Sequence, residues 1–341
     1  MRTIEWSSEE NCIIFIDQTE LPRRFKVKKC RSISTLREAI INMRIRGAPA
    51  LGAAGAYGIA LAAWRSEARS ARALKLAINK AAFTLKTARP TAVNLSWAIE
   101  RLLKKLEKLS SIEEIKKTAL EEAKKIAEED VEVNKLIGKH GAELLKDGDT
   151  ILTYCNAGRL ACVDFGTALG VVRSAIQSGK KIKVIACETR PLNQGSRLTA
   201  WELMEDGIPV KLIVDSAAGF VMKQGMIDKV IVGADRIVRN GVFNKIGTYS
   251  LSVLAKEHSI PFYIAAPLSS FDFYKSASEV LIEERDAKEL KFFGKYQIAP
   301  LDVEVYNPAF DVTPLENITA VITEKGVFDP LKMFEVLKSS D

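Results

Sequence analysis

The chain has 341 residues, 47% of them hydrophobic and 27% charged, which is long enough for two domains with a sizeable core and ordinary for a soluble globular protein. A formal net charge of +7 suits an anionic ligand, yet runs such as Arg101-Leu102-Leu103-Lys104-Lys105-Leu106-Glu107-Lys108 mix both signs. They read as solvated helix faces, which argues against nucleic acid as a partner. Five cysteines without regular spacing, and no secretory signal at Met1-Arg2-Thr3-Ile4-Glu5, point to reduced thiols in the cytoplasm. His140 and His258 are the only histidines and lack metal-ligand spacing, so no metal is expected.

The opening segment alternates short apolar runs (Cys12-Ile13-Ile14-Phe15-Ile16, then Phe25-Lys26-Val27) with polar breaks, which predicts a small hairpin-like sheet. From Ser34 to Lys146 the apolar spacing changes to three and four, with Leu95, Ile99, Leu102, Leu103 and Leu106 on one face of a helix. Pro90 and the pair Ser110-Ser111, good N-caps for a helix beginning near Ile112, divide this region into three or four helices. The most apolar stretch, Gly47 to Ala63, is largely Gly and Ala between arginines. It reads as a tightly packed core helix, and no membrane span is expected.

After Gly148 strand, loop and helix alternate. Ile151-Leu152-Thr153-Tyr154, Ile182 to Ala186, Val210 to Val214, Val230-Ile231-Val232 and Pro261 to Ala265 are short apolar runs, most of them separated by helical stretches. The expected fold is therefore α/β: a doubly wound, Rossmann-like parallel sheet in a C-terminal domain (147–341), after a mostly helical N-terminal domain (1–146) that opens with the small β element.

In such a sheet the carboxyl ends of the strands converge on one crevice. Asp235 follows the buried run Val230 to Ala234, and partial desolvation there would favour its protonated form; a strand-end Asp capping the next turn is the plainer alternative. Cys155-Asn156-Ala157-Gly158 ends another strand, where Cys155 is either inert packing or a reactive or polarising thiol. A third loop, Glu188 to Arg197, gathers Glu188, Arg190, Asn193, Gln194 and Arg197. Those groups either meet a polar ligand such as a sugar or satisfy one another through ion pairs. Arg46-Gly47-Ala48 before the Gly/Ala helix makes a reasonable phosphate clamp. Arg89 stands at another helix boundary, and Asn244-Lys245 returns an amide and a cation to the next helix start. GxGxxG and GxxxxGK[ST] are both missing, so no nucleotide cofactor is expected.

These stretches, together with Arg89-Pro90-Thr91-Ala92-Val93-Asn94-Leu95, Glu188-Thr189-Arg190-Pro191, Gly233-Ala234-Asp235 and Asn307 to Pro314, resemble the methylthioribose-1-phosphate isomerases of methionine salvage. That family is related to the regulatory subunits of eukaryotic initiation factor 2B and to ribose-1,5-bisphosphate isomerase. The resemblance implies a cofactor-free, homodimeric aldose-ketose isomerase acting on a small sugar phosphate. It assigns Asp235 as proton donor and Cys155 as second catalytic residue, with Arg46, Gly47, Ala48, Arg89, Gln194, Asn244 and Lys245 holding the substrate. Two features depart from the family pattern: Arg159 after Cys-Asn-Ala-Gly, and a short loop Asn240-Gly241-Val242-Phe243 before Asn244. Arg159 is a candidate ligand for a second phosphate, as in ribose 1,5-bisphosphate. A 5-deoxyribose 1-phosphate isomerase and a non-catalytic regulatory subunit are the other readings.

Overall fold

A computed structural model describes residues 2–338. Strands β1 (Ile4–Ser7), β2 (Cys12–Ile16) and β3 (Val27–Cys30) form the expected antiparallel sheet, with Ile4, Ile13, Phe15 and Cys30 buried against the helices. Five helices follow: α1 (Ile33–Ile41), α2 (Ala48–Arg65), α3 (Ala71–Lys86), α4 (Val93–Leu106) and α5 (Ile112–Ala142). The apolar spacing predicts fewer because it does not mark two of the starts. Ser32 and Ser70 cap them, accepting hydrogen bonds from the Thr35 and Ala73 amides. Ser111 caps α5 as expected. Helix α2 is buried on almost every side, as its Gly/Ala composition allows.

The second half runs β4 (Thr150–Thr153), α6 (Ala168–Gln177), β5 (Lys183–Cys187), α7 (Ala200–Glu205), β6 (Val210–Ile213), α8 (Ala218–Lys223) and β7 (Lys229–Val232). A hairpin of β8 (Arg236–Val238) and β9 (Gly241–Lys245) leads to α9 (Thr248–Glu257) and β10 (Phe262–Ala265). An excursion then carries α10 (Lys288–Lys291) and a small hairpin, β11 (Phe292–Phe293) with β12 (Tyr296–Gln297). The chain closes with β13 (Phe310–Thr313), β14 (Ala320–Thr323), β15 (Gly326–Phe328) and α11 (Met333–Lys338).

Seven strands make the main sheet in the order β15-β14-β10-β7-β4-β5-β6, all parallel apart from the edge strand β15. In chain order the six parallel strands lie 3-2-1-4-5-6, so the winding reverses between β4 and β7. Every residue of β7 is buried. Val230 and Val232 pack into one apolar cluster and Ile231 into the cluster on the other face, as a strand covered on both sides requires.

Two further features differ from the sequence reading. The sixth parallel strand, β14, and its antiparallel neighbour β15 extend the sheet beyond the five expected runs. Asn244 and Lys245 do not lie on a loop: they end β9, which is buried throughout because β8 and β13 pair on its two sides. The turn Arg239-Asn240 is short because it joins two strands of one hairpin.

Candidate active site

Cys155 lies two residues beyond β4 and Asp235 three beyond β7, one on each side of the reversal. Both line a cavity of about 40 Å³ together with Arg46, Gly47, Ala48 and Asn244. Through Asp235 this cavity adjoins an apolar one of about 30 Å³ walled by Leu51, Phe243, Leu281 and Phe310 beside Arg89. Through Arg46 it adjoins a basic one of about 740 Å³ that includes Gln194, Arg190 and Arg197. Ligand pockets usually measure about 300–1,000 Å³, so a sugar phosphate would draw on all three. Another cavity, about 670 Å³, lies behind α2 against Asn94 and Trp97 and includes no residue expected in the site. Size alone therefore does not mark the chemistry.

The backbone is specialised where it meets the cavity. Gly47 has φ +95°, and a Cβ there would stand 2.4 Å from the Ala161 backbone, so the start of α2 can approach the sheet only with glycine. Gly47→Ala is expected to destabilise the fold by about 2–5 kcal/mol from backbone strain and overpacking. An unchanged urea midpoint would contradict that. Cys155 sits in the left-handed region at φ 61°, a conformation that costs about 1–3 kcal/mol in a non-glycine residue. Two threonines hold it: its amide donates to Thr189 Oγ1 (2.8 Å), and Thr199 Oγ1 donates to its carbonyl (2.6 Å). Thr199 ends a short π-helical turn, Gly195–Thr199, that runs into α7.

Burial pushes the Asp235 carboxyl above its ordinary value, and the positive charges of Arg89, Lys245 and Arg46 only partly offset this. What surface Asp235 keeps opens into the cavities. The Cys155 thiol is raised by the same desolvation against the pull of Arg46 and Lys245, so it stays protonated at neutral pH and lacks the setting of a thiolate nucleophile. Lys245 moves the other way, its ammonium disfavoured by burial and favoured by Cys155 and Asp235. Only 7% exposed, it has no ion-pair partner among the described residues and rests 5.5 Å from the Phe310 ring centre.

The remaining ligand candidates surround this centre. Arg46 lines the cavity while donating both terminal nitrogens to Asn156. Arg89 Nε lies 3.6 Å from Glu283, and Asn244 Nδ2 donates to Thr248 Oγ1. Gln194 is buried with its carbonyl oxygen unpartnered, as is that of Asn193, an arrangement that invites a hydrogen-bonding ligand. Among the described residues no ion pair joins Glu188, Arg190 and Arg197. Arg197 donates instead to the carbonyls of Leu192, Gln18 and Leu21, and Arg190 stacks over Phe293. Arg159 bonds to Asp206 and does not line these cavities, so a second phosphate at Arg159 is not supported.

Sequence reasoning overlooked Thr189, Thr199, Glu202 and Glu283. Thr189 lies inside a quoted motif, and Thr199 and Glu202 sit just beyond it on a turn and helix where nothing in the spacing marks them.

The sequence model of the Initiation factor 2 subunit family matches residues 44–330. A methylthioribose-1-phosphate isomerase of Thermosipho africanus is 53% identical over 96% of this chain and 95% of its own length. The crystal structure of 5-methylthioribose 1-phosphate isomerase from Pyrococcus horikoshii superposes with a TM-score of 0.92 at 48% identity, covering all of this chain and 96% of that one. A structure described as translation initiation factor eIF-2B, subunit delta, from A. fulgidus is 62% identical with a TM-score of 0.88, covering 99% and 98%.

Proposed function

We propose that this chain, which belongs to the Initiation factor 2 subunit family, is an aldose-ketose isomerase converting 5-methylthioribose 1-phosphate into 5-methylthioribulose 1-phosphate in methionine salvage. The observation that carries this reading is a carboxyl that burial favours in its protonated form, close to a buried lysine with no ion-pair partner among the described residues, at the reversal of the sheet. The first supplies a proton and the second awaits an anion.

The phosphate on the anomeric oxygen prevents the sugar ring from opening unaided. Asp235 donates a proton to the ring oxygen as its bond to C1 breaks. Hydrogen then passes from C2 to C1, and the C2 hydroxyl proton leaves to give the ketone, returning the proton that Asp235 gave up. A protonated Cys155 thiol favours a polarising role over that of a base. Arg46, Arg89 and Lys245 hold the phosphate with the Gly47 and Ala48 backbone at the start of α2, while Gln194 and Asn244 orient the sugar.

The apolar wall of Leu51, Phe243, Leu281 and Phe310, in the cavity that Arg89 and Arg236 also line, suits a methylthio group. Relative kcat/KM tests this: methylthioribose 1-phosphate is expected to exceed ribose 1,5-bisphosphate by about a hundredfold or more, and the reverse preference would overturn the substrate assignment. A non-catalytic regulatory subunit, the reading favoured by the description of the A. fulgidus structure, would leave the sugar phosphate unchanged.

The same reading divides the chain at 146/147, with Arg46 and Arg89 on the helical side and both reacting groups on the sheet side. No helix among the described residues is long and apolar enough to cross a membrane, and the five cysteines are free. A homodimer is supported by the open edge at β6 and by the exposed apolar side chains Leu212, Val214, Phe220 of α8 and Val253 of α9. Light scattering is expected to give a dimer mass that Phe220→Asp halves; a monomeric wild type would refute it.

A further inference from the structure

Glu202 touches none of the cavities, yet it is completely buried and one of its contacts, to Asn156, leads to the site. Its Oε1 accepts from Asn156 Nδ2 at 2.6 Å, and its Oε2 accepts from the Arg159 amide and from Arg173 Nη2, both at 2.8 Å. Gly158 makes room for it, since a Cβ there would fall 2.3 Å from the carboxylate. On its other side Asn156 accepts twice from Arg46: Nη1 donates to Oδ1 at 2.6 Å and Nη2 to the main-chain carbonyl at 2.7 Å.

A side-chain amide can turn over, exchanging its donor and acceptor ends, and only its neighbours decide which way it faces. A carboxylate paired with Arg173 only accepts, so Glu202 draws the Asn156 NH₂ toward it, and Thr199 Oγ1, whose own hydrogen goes to the Cys155 carbonyl, accepts from the same NH₂ at a longer 3.2 Å. The amide oxygen is thereby left for the guanidinium. Turned the other way, NH₂ would meet Arg46, two donors would face each other in a buried space, and the guanidinium would lose its hold.

We propose that Glu202 is a positioning residue that fixes the Asn156 amide and thereby aims Arg46 at the phosphate of the substrate, with Arg173 anchoring the carboxylate from behind. This rests on the isomerase reading for the identity of the substrate but not for the anion itself, so binding and turnover separate the two. A Gln at 202 presents either an oxygen or an NH₂ to Asn156, leaving only the longer Thr199 contact on that side to favour the orientation.

The test measures inorganic phosphate binding by calorimetry, and kcat and KM on methylthioribose 1-phosphate, for wild type, Glu202→Gln and Asn156→Ala. The expected result is a tenfold or greater weakening of phosphate binding and a matching rise in KM in both variants, with kcat within threefold of wild type. A carboxylate that only supports the fold would lower the denaturation midpoint and leave phosphate affinity of the folded protein unchanged, and that outcome overturns the proposal. If Glu202→Gln does not fold, Asn156→Ala alone decides it by the same binding measurement. Wild-type protein that binds phosphate without turning over substrate would refute the isomerase reading and leave the positioning role to be judged on binding.

Discussion

Asp235→Asn lowers kcat by about 10²–10⁴-fold, the usual contribution of a general acid, and leaves KM and folding near wild type. An amide keeps the shape of the carboxyl but has no acidic proton for the ring oxygen. The same account fixes a pH dependence. Burial raises the carboxyl above 3.8, so the active protonated fraction, and with it turnover, falls as pH rises through that elevated value. The sign for stability agrees. The benefit of keeping Asp235 neutral is full below 3.8 and is lost as pH rises through its folded value, so the uncharged asparagine is no less stable at neutral pH. Lost activity then reflects lost chemistry. Steady-state kinetics from acid to neutral pH, with a urea midpoint for each protein, checks all of this; near wild-type turnover in the asparagine variant would remove Asp235 from the mechanism.

Lys245→Met raises KM about a hundredfold while making the free protein more stable. A desolvated contact between ammonium and phosphate is worth ~3 kcal/mol when one partner is truncated. Without substrate the charge is a liability, because Lys245 is buried with no ion pair among the described residues. Its folded pKa lies below 10.5. The fold therefore bears the full cost of the charge wherever the lysine is protonated in both states, and regains stability as pH rises through the folded value. Methionine removes the cost, and a gain of about 1 kcal/mol is expected at neutral pH. Denaturation with and without phosphate checks the pair of effects: phosphate should stabilise wild type and leave the methionine variant nearly unmoved. A variant that loses stability and keeps its KM would show that Lys245 serves the core.

Much of this site was legible in the sequence because strand ends announce themselves. Val230 to Ala234 could only be a buried strand, so Asp235 had to stand at its mouth, and Cys155 followed by the same reasoning from Ile151 to Tyr154. Lys245 was recognised as a residue of interest but placed on a loop. The hairpin with β8 reaches only Phe243, and the pairing that carries the strand through Asn244 and Lys245 comes from β13, about seventy residues later, which no local pattern carries. Strand β14 was missed for a similar reason, since a four-residue apolar run gains its identity from the neighbour it pairs with. The charged loop from Glu188 to Arg197 shows the same limit. Composition leaves open whether its charges pair with one another, and only the geometry turns Arg197 toward main-chain carbonyls and leaves the Gln194 carbonyl oxygen unpartnered. Glu202 carried no signal, because its importance lies in which end of an asparagine it faces.

The central claim is that this pocket opens and isomerises a sugar whose anomeric oxygen bears the phosphate. Carbon NMR of 5-methylthioribose 1-phosphate mixed with the purified protein and no added cofactor tests it most directly. The account predicts loss of the anomeric C1 signal and growth of a ketone carbon with wild type, and neither with Asp235→Asn at matched occupancy. A substrate that stays bound while its anomeric signal persists in the wild-type sample would contradict it.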